Sequence, residues 1–218
     1  IALEKALRLY NGKPMINSVN GKQENMDVIF PLVKKYGGVI VGLCLDEQGI
    51  PETAQDRYEV AQKIVNTAAT YGIEKKDIVL DALAMTISSN TASAKITLDT
   101  IRMITEQLHC HSILGVSNIS FGLPHREIIN SHFLTMAINN GLSCAIINPG
   151  NESMMRAYRA SCALLNMDPQ CMDYISTYAD VPDEKIETIH SAKKAKQKVA
   201  ETSTIAVQHG LDVQATTL

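Results

Sequence analysis

Short apolar runs alternate with longer stretches of helical period along most of this chain. Residues 1–11 predict an amphipathic helix ended by Asn11-Gly12, a favoured C-terminal stop. Residues 14–19 predict a strand, and 24–36 a helix closed by Gly37-Gly38. Residues 39–45 are apolar without interruption, the pattern of a strand covered on both faces. Pro51 opens a predicted helix to Tyr71, proline being suited to a first helical turn. A third strand at 77–81 precedes a helix capped by Asn90 or Thr91 and running to about Leu108. Strands follow at 112–117 and 143–147, helices at 124–140 and 152–166, and a shorter helical piece at 168–178.

Strand starts near 15, 39, 77, 112 and 143 are 24, 38, 35 and 31 residues apart. Each interval holds a strand, a crossover helix and loops, so the expected fold is α/β with a parallel sheet. A doubly wound sheet and a TIM (βα)8 barrel both fit. A barrel takes about 250 residues in eight units; only about the last five units would lie within 218 residues. The chain has no initiator Met and reads as starting within a domain. The domain division expected is 1–178 for the barrel part and 179–218 for a helical extension or linker. Val181-Pro182 breaks the pattern, Asp183-Glu184 suits a helix start, and Lys193, Lys194, Lys196 and Lys198 read as a solvated face. From Gly210 the sequence looks frayed or linker-like.

Composition narrows the function. Hydrophobic residues at 45% and charged residues at 20% fit a soluble protein with a real core. A formal net charge of -3 argues against a general nucleic-acid partner, which needs a cationic surplus. No run approaches the roughly 18 apolar residues of a membrane span, and no signal peptide opens the chain. The five cysteines are odd in number and form no CxxC pair; three lie in apolar runs and read as small buried hydrophobes of a reducing cytoplasm.

Parallel sheets carry their sites at the C-terminal ends of the strands. Here those ends read Asn17-Ser18-Val19-Asn20-Gly21, Asp46-Glu47-Gln48-Gly49, Asp81-Ala82-Leu83, Ser117-Asn118-Ile119-Ser120-Phe121-Gly122 and Asn148-Pro149-Gly150. This rim is rich in Asn and Asp and poor in bases and nucleophiles. Amides that donate and accept, beside carboxylates that only accept, suit the edge of a flat heterocycle such as a pterin. Single Asn and Asp residues after a strand more often start a turn; Asn17, Asp81 and Asn118 together favour a binding role. There is no GxSxG, GxxxxGK[ST] or GxGxxG motif. His109-Cys110-His111 lies at the opposite end and lacks a second ligand pair, so no metal site is expected. His125-Arg126 lies on the active face, with a helix-start surface pair as the simpler reading. Met15, Met85, Met103, Met136, Met154 and Met155 read as core fillers.

The stretches at 15–21, 77–83, 114–124 and 145–149 resemble the pterin-binding domain of cobalamin-dependent methionine synthases and of methyltetrahydrofolate:corrinoid methyltransferases. The four motifs occur in the family's order, and GVSNISFGLP followed by Arg126 is the strongest. The resemblance covers about residues 1–178. It implies a TIM barrel binding 5-methyltetrahydrofolate, the methyl donor, at its mouth. It implies Asn17 on the pterin edge, Asp81 accepting from the pterin amino and ring N–H groups, Asn118 near N5, and Arg126 close to the pterin. Asn118 is then the catalytic candidate. A further family Asp, on the strand before Asn17, has no counterpart in this chain. The implied reaction passes the N5 methyl to a Co(I) corrinoid, a cobalamin, on a partner module. Dihydropteroate synthase-like chemistry is a rival, although the rim lacks the Lys and Arg set that a pyrophosphate leaving group needs. A non-catalytic docking fragment for a corrinoid protein is another. Five strands would leave sheet edges needing cover, for which a second copy of the chain, a homodimer, is a candidate.

Overall fold

The computed structural model describes residues 2–181 and the backbone of residues 204–207 and 213–216. The chain divides into two units, 1–174 and 175–218. The first holds helix α1 (Ala2–Leu9) and five strands, β1 (Met15–Asn20), β2 (Val39–Leu43), β3 (Ile78–Asp81), β4 (His111–Gly115) and β5 (Cys144–Ile146). Helices α2 (Gln23–Tyr36), α3 (Ala54–Thr70), α4 (Ser93–Glu106) and α5 (Arg126–Asn139) connect them, and α6 (Glu152–Leu164) and α7 (Met172–Tyr178) follow.

All five strands are parallel and lie side by side in chain order. A doubly wound sheet reverses its order at a switch point. Unbroken order is that of a barrel wall. Alternation along the strands separates two faces. Ile16, Val19, Ile40, Ile78, Leu80 and Leu114 join Met26, Phe30, Ile64, Ile101 and Phe133 from the helices in the main core. On the other face, Val41, Val79 and Ile113 form a small second cluster, flanked by Val39, Leu43 and Cys144. A bulge after Asn17 shifts the register, so Ile16 and Val19 both face the helices while Asn17 shares the inner face with its partner Val41.

The element boundaries shift where side chains supply the ends. Helix α3 starts at Ala54 rather than Pro51, because Thr53 Oγ1 accepts from Asp56 N at 3.1 Å and caps the helix. Neither Asn90 nor Thr91 caps α4: Asn90 Oδ1 accepts from Ala92 N in a turn, and the helix starts at Ser93. Strand β4 gives way at Gly115 to a 3-10 turn, Val116–Ser120. The methionines need the larger correction. Met154 is buried, but Met15, Met85 and Met136 are exposed: Met15 on the inner face, Met85 on the loop after β3, and Met136 on the outer side of α5. Cys44 and Cys110 are buried and the other cysteines half-buried, all as free thiols.

In the second unit, strands β6 (Thr204–Val207) and β7 (Val213–Thr216) pair antiparallel in the region read as extension and linker. The helix expected from Asp183 and the lysines at 193, 194, 196 and 198 lie outside the described residues. Among the described residues no helix is long and apolar enough to cross a membrane.

Candidate functional site

The inner face carries the polar strand ends. The register aligns Asn17 with Val41, Val41 with Val79, and Asp81 with Ile113. Asp81 follows Val79 by two residues and therefore points to the same side. Gly115 lies two beyond Ile113, and the 3-10 turn carrying Asn118 begins directly after it. The structure thus places Asn17 and Asp81 on one face and sets Asn118 at its rim.

Hydrogen bonding sorts the rim. Asn20 Oδ1 accepts from Lys22 N, Asp46 Oδ1 from Gln48 N, and Asn148 Oδ1 from Gly150 N. These three build turns. Asn17 and Asn118 are exposed and commit their side-chain amides to no such turn. Asp81 closes the same kind of turn, accepting from Leu83 N through Oδ1 at 2.8 Å, and on the inner face its Oδ2 is left for another donor.

The Asn118 turn is clamped from behind. Arg126, at the first turn of α5, donates from Nη2 to Ser117 O at 2.7 Å and from Nε to Ser120 Oγ at 2.9 Å. Its guanidinium stacks over the Phe121 ring at 4.3 Å. Thr86 Oγ1 and Ser88 Oγ both donate to Phe121 O, tying the loop after β3 to the same turn. A Cβ at Gly115 would stand 3.1 Å from Asn118 Nδ2, so glycine leaves room for that amide.

Sequence reading missed Arg57. It is only 3% exposed. It donates from Nε to Pro51 O at 2.9 Å and from Nη1 to Ala82 O and Leu83 O at 2.8 and 2.7 Å. The signal was there: Arg57 is in phase with Val60, Ala61, Ile64 and Ala68, the buried stripe of α3. Burial pushes the Asp81 carboxyl above its usual range, while the Leu83 N–H and the Arg57 charge pull it back. Burial also lowers the Arg57 guanidinium, with Cys44 and Asp81 acting the other way. The Cys44 thiol is pushed far up by burial and then by the Asp81 charge. Asp81 and Arg57 therefore form a half-dry electrostatic unit behind the rim. Elsewhere on that end, an open basin of about 590 Å³ beside α3 collects Asp46, Glu52, Asp56 and Glu59. It includes none of Asn17, Asp81 and Asn118, and Asp46 and Asp56 are engaged locally. Among the described residues no cluster of His, Cys, Asp and Glu could hold a metal.

The family described as pterin binding enzyme matches residues 2–148, a span that includes Asn17, Asp81, Asn118 and Arg126. The chain belongs to the pterin-binding enzyme family. Among curated members of known name, the methylcorrinoid:tetrahydrofolate methyltransferase of Eubacterium limosum is 32% identical over 169 residues, 75% of this chain and 62% of that protein. The methionine synthase of Mycobacterium leprae is 35% identical over 159 residues, 67% of this chain and 13% of that protein. The chain thus spans less than two thirds of the length of either relative. A dihydropteroate synthase from Yersinia pestis matches in fold with a TM-score of 0.51 at 12% identity, covering 75% of this chain and 76% of that one. This member of the family accordingly has an α/β fold of the TIM-barrel type, with five parallel βα units.

Proposed function

We propose that this chain binds 5-methyltetrahydrofolate at the inner-face rim and presents its N5 methyl group to a corrinoid carried by a partner module. The observation that carries the reading is the sorting of the rim. Asn17 and Asn118 keep their amides free of turns, and Asp81, which closes a turn through Oδ1, shares the inner face with Asn17 and has Oδ2 left over. A pterin edge offers adjacent amino and ring N–H donors, which an ionised Asp81 accepts. Asn17 pairs with the mixed donor and acceptor groups beside them. The kinship to a methylcorrinoid:tetrahydrofolate methyltransferase and a methionine synthase supports the reaction class.

The tertiary amine at N5 leaves only after gaining a proton or a strong hydrogen bond. Asn118 is no acid. Its amide oxygen accepts from the protonated N5 and stabilises that state by position and dipole. Gly115 and the Arg126 clamp hold the amide in place for this. The corrinoid cobalt supplies the nucleophile, and the residues of this chain bind, orient and hold the proton at N5. Arg126 also bears on the dihydropteroate synthase alternative. Its Nε and Nη2 are committed to the Asn118 turn, which disfavours a pyrophosphate role for the one basic candidate on the rim.

The test is calorimetry of 5-methyltetrahydrofolate binding to the full protein in which this sequence occurs. Asp81→Ala is expected to weaken binding by about 1.5–3 kcal/mol, the size of a charge-assisted hydrogen bond to its remaining oxygen. Absence of binding by the unaltered protein would sink the assignment.

A further inference from the structure

Arg57 has an unusual set of partners for a buried cation: three backbone carbonyls and no carboxylate in direct contact. Nε and Nη1 are met by these carbonyls, but the charge meets no carboxylate. Burying a charge without a counter-charge is costly, so the charge must serve something nearby. The link runs through Leu83. This residue adopts φ 62°, the left-handed region that non-glycine residues avoid. Its carbonyl accepts from Arg57 Nη1 at 2.7 Å and from Thr97 Oγ1 at 3.2 Å. Its N–H donates to Asp81 Oδ1 at 2.8 Å. One strained residue thus joins the guanidinium to the carboxylate.

We propose that Arg57 is a positioning residue for the pterin-accepting carboxylate: it fixes Leu83 in the conformation that orients Asp81, and it sets a buried positive charge one hydrogen-bonded residue away from that carboxylate. This rests on the pterin reading above and names how the site keeps an acceptor charged in a half-dry setting. The groups whose electrostatics couple to Asp81 are the Arg57 guanidinium from α3 and the Cys44 thiol from the segment after β2. Cys44 is held protonated and neutral, so Arg57 is the charge that counts. Arg57 also draws in Pro51 from the β2–α3 loop, tying two rim loops to one side chain.

The experiment follows 5-methyltetrahydrofolate affinity against pH in the full protein, unaltered and as Arg57→Gln. The acidic limit of binding, where Asp81 takes up a proton, is expected to move to higher pH without the cation. Affinity at neutral pH should fall at least roughly tenfold, as a misplaced charge-assisted hydrogen bond implies. A residue that merely anchored loops would weaken binding without moving that limit. If folded Arg57→Gln keeps the acidic limit of the unaltered protein, the inference is overturned and the pterin assignment stands. If Arg57→Gln does not fold, Arg57→Lys decides. It keeps the charge but cannot span the three carbonyls, so its acidic limit should stay while its affinity falls; unchanged affinity overturns the positioning role. No binding by the unaltered protein at any pH overturns the assignment and this inference with it.

Discussion

At the scale of single residues, the rim shows function and folding pulling apart. Asp81 is held in a setting where burial raises its carboxyl above the ordinary range. A carboxyl with a raised folded-state value binds its proton more tightly when folded. Its contribution therefore favours folding at low pH and is lost as pH rises through the interval between the unfolded value, 3.8, and the raised one. Asp81→Asn removes the buried charge and keeps the Leu83 contact. It is expected to unfold at the same or a higher temperature at pH 7 while losing pterin binding, measured by thermal melts beside calorimetry. A clear loss of stability would show that the carboxylate is structural. Asn118 offers a different split. Its role at N5 belongs to the transition state, so Asn118→Ala should cut methyl transfer by on the order of 100-fold, with a much smaller change in affinity. Equal losses in both would assign Asn118 to binding alone. The sequence exposed these residues as polar ends of apolar strands. Their motifs marked Asn17, Asp81 and Asn118, but which side chains close turns, as Asn20, Asp46, Asn148 and Asp81 itself do, is set by local geometry that the sequence does not show. Arg57 escaped notice because charged residues on a helix are ordinarily solvated.

At the scale of elements, the five strands and their crossover helices were legible because apolar runs and helical period are strong signals. The ends were less so. Thr53 outcompeted Pro51 as the start of α3 because its hydroxyl satisfies an otherwise orphaned N–H. The β4 strand stopped early because Arg126, six residues past Ser120, folds the next segment into a turn, a contact no local pattern reveals. Close packing of strand on helix also has a signature only in three dimensions. Gly21 ends the first strand motif, and its N–H donates to Leu45 O at 2.7 Å. A Cβ there would lie 2.7 Å from Val60 Cγ1 and 3.0 Å from Leu45 O. Gly21→Ala should destabilise by about 1–3 kcal/mol, read by denaturant unfolding; a neutral result would mean that α3 can retreat from β1. Helix α1 is tethered differently. Glu4 meets Lys35 at 2.9 Å and Arg8 at 3.2 Å, and these cations lower its carboxyl from 4.5 to about 2. The tether is complete above the unfolded value and is lost as pH falls from 4.5 toward 2. Amide protection in α1, corrected for the intrinsic exchange rate at each pH, should therefore fall over that acid window, and with added salt, earlier than in α3.

At the scale of the whole molecule, the two faces of the sheet are unequal. The helix-facing core is broad and continuous, whereas among the described residues the inner face buries Val41, Val79 and Ile113 alone. Met15 at 53% and Ile146 at 52% exposure stand on that inner face at its two outer strands. A barrel fills its interior with layers drawn from alternate strands around the ring. Five strands cannot complete such layers, and the site residues Asn17 and Asp81 stand on this half-filled face. Their precision as ligands depends on packing that locks rotamers around them. Relatives of which this chain spans 62% and 13% have the length to supply further βα units. The 218-residue chain by itself should therefore bind 5-methyltetrahydrofolate weakly. A version lengthened with the additional units of its relatives should bind at least roughly 100-fold more tightly, as pre-organised sites do when ordering costs are removed. Calorimetry on both, with Asp81→Ala in the longer version, separates the outcomes. Loss on Asp81→Ala ties the gain to this rim. Equal affinity for the two lengths would mean that the five-unit wall already holds its ligands in place, and that the inner face needs no further strands to work.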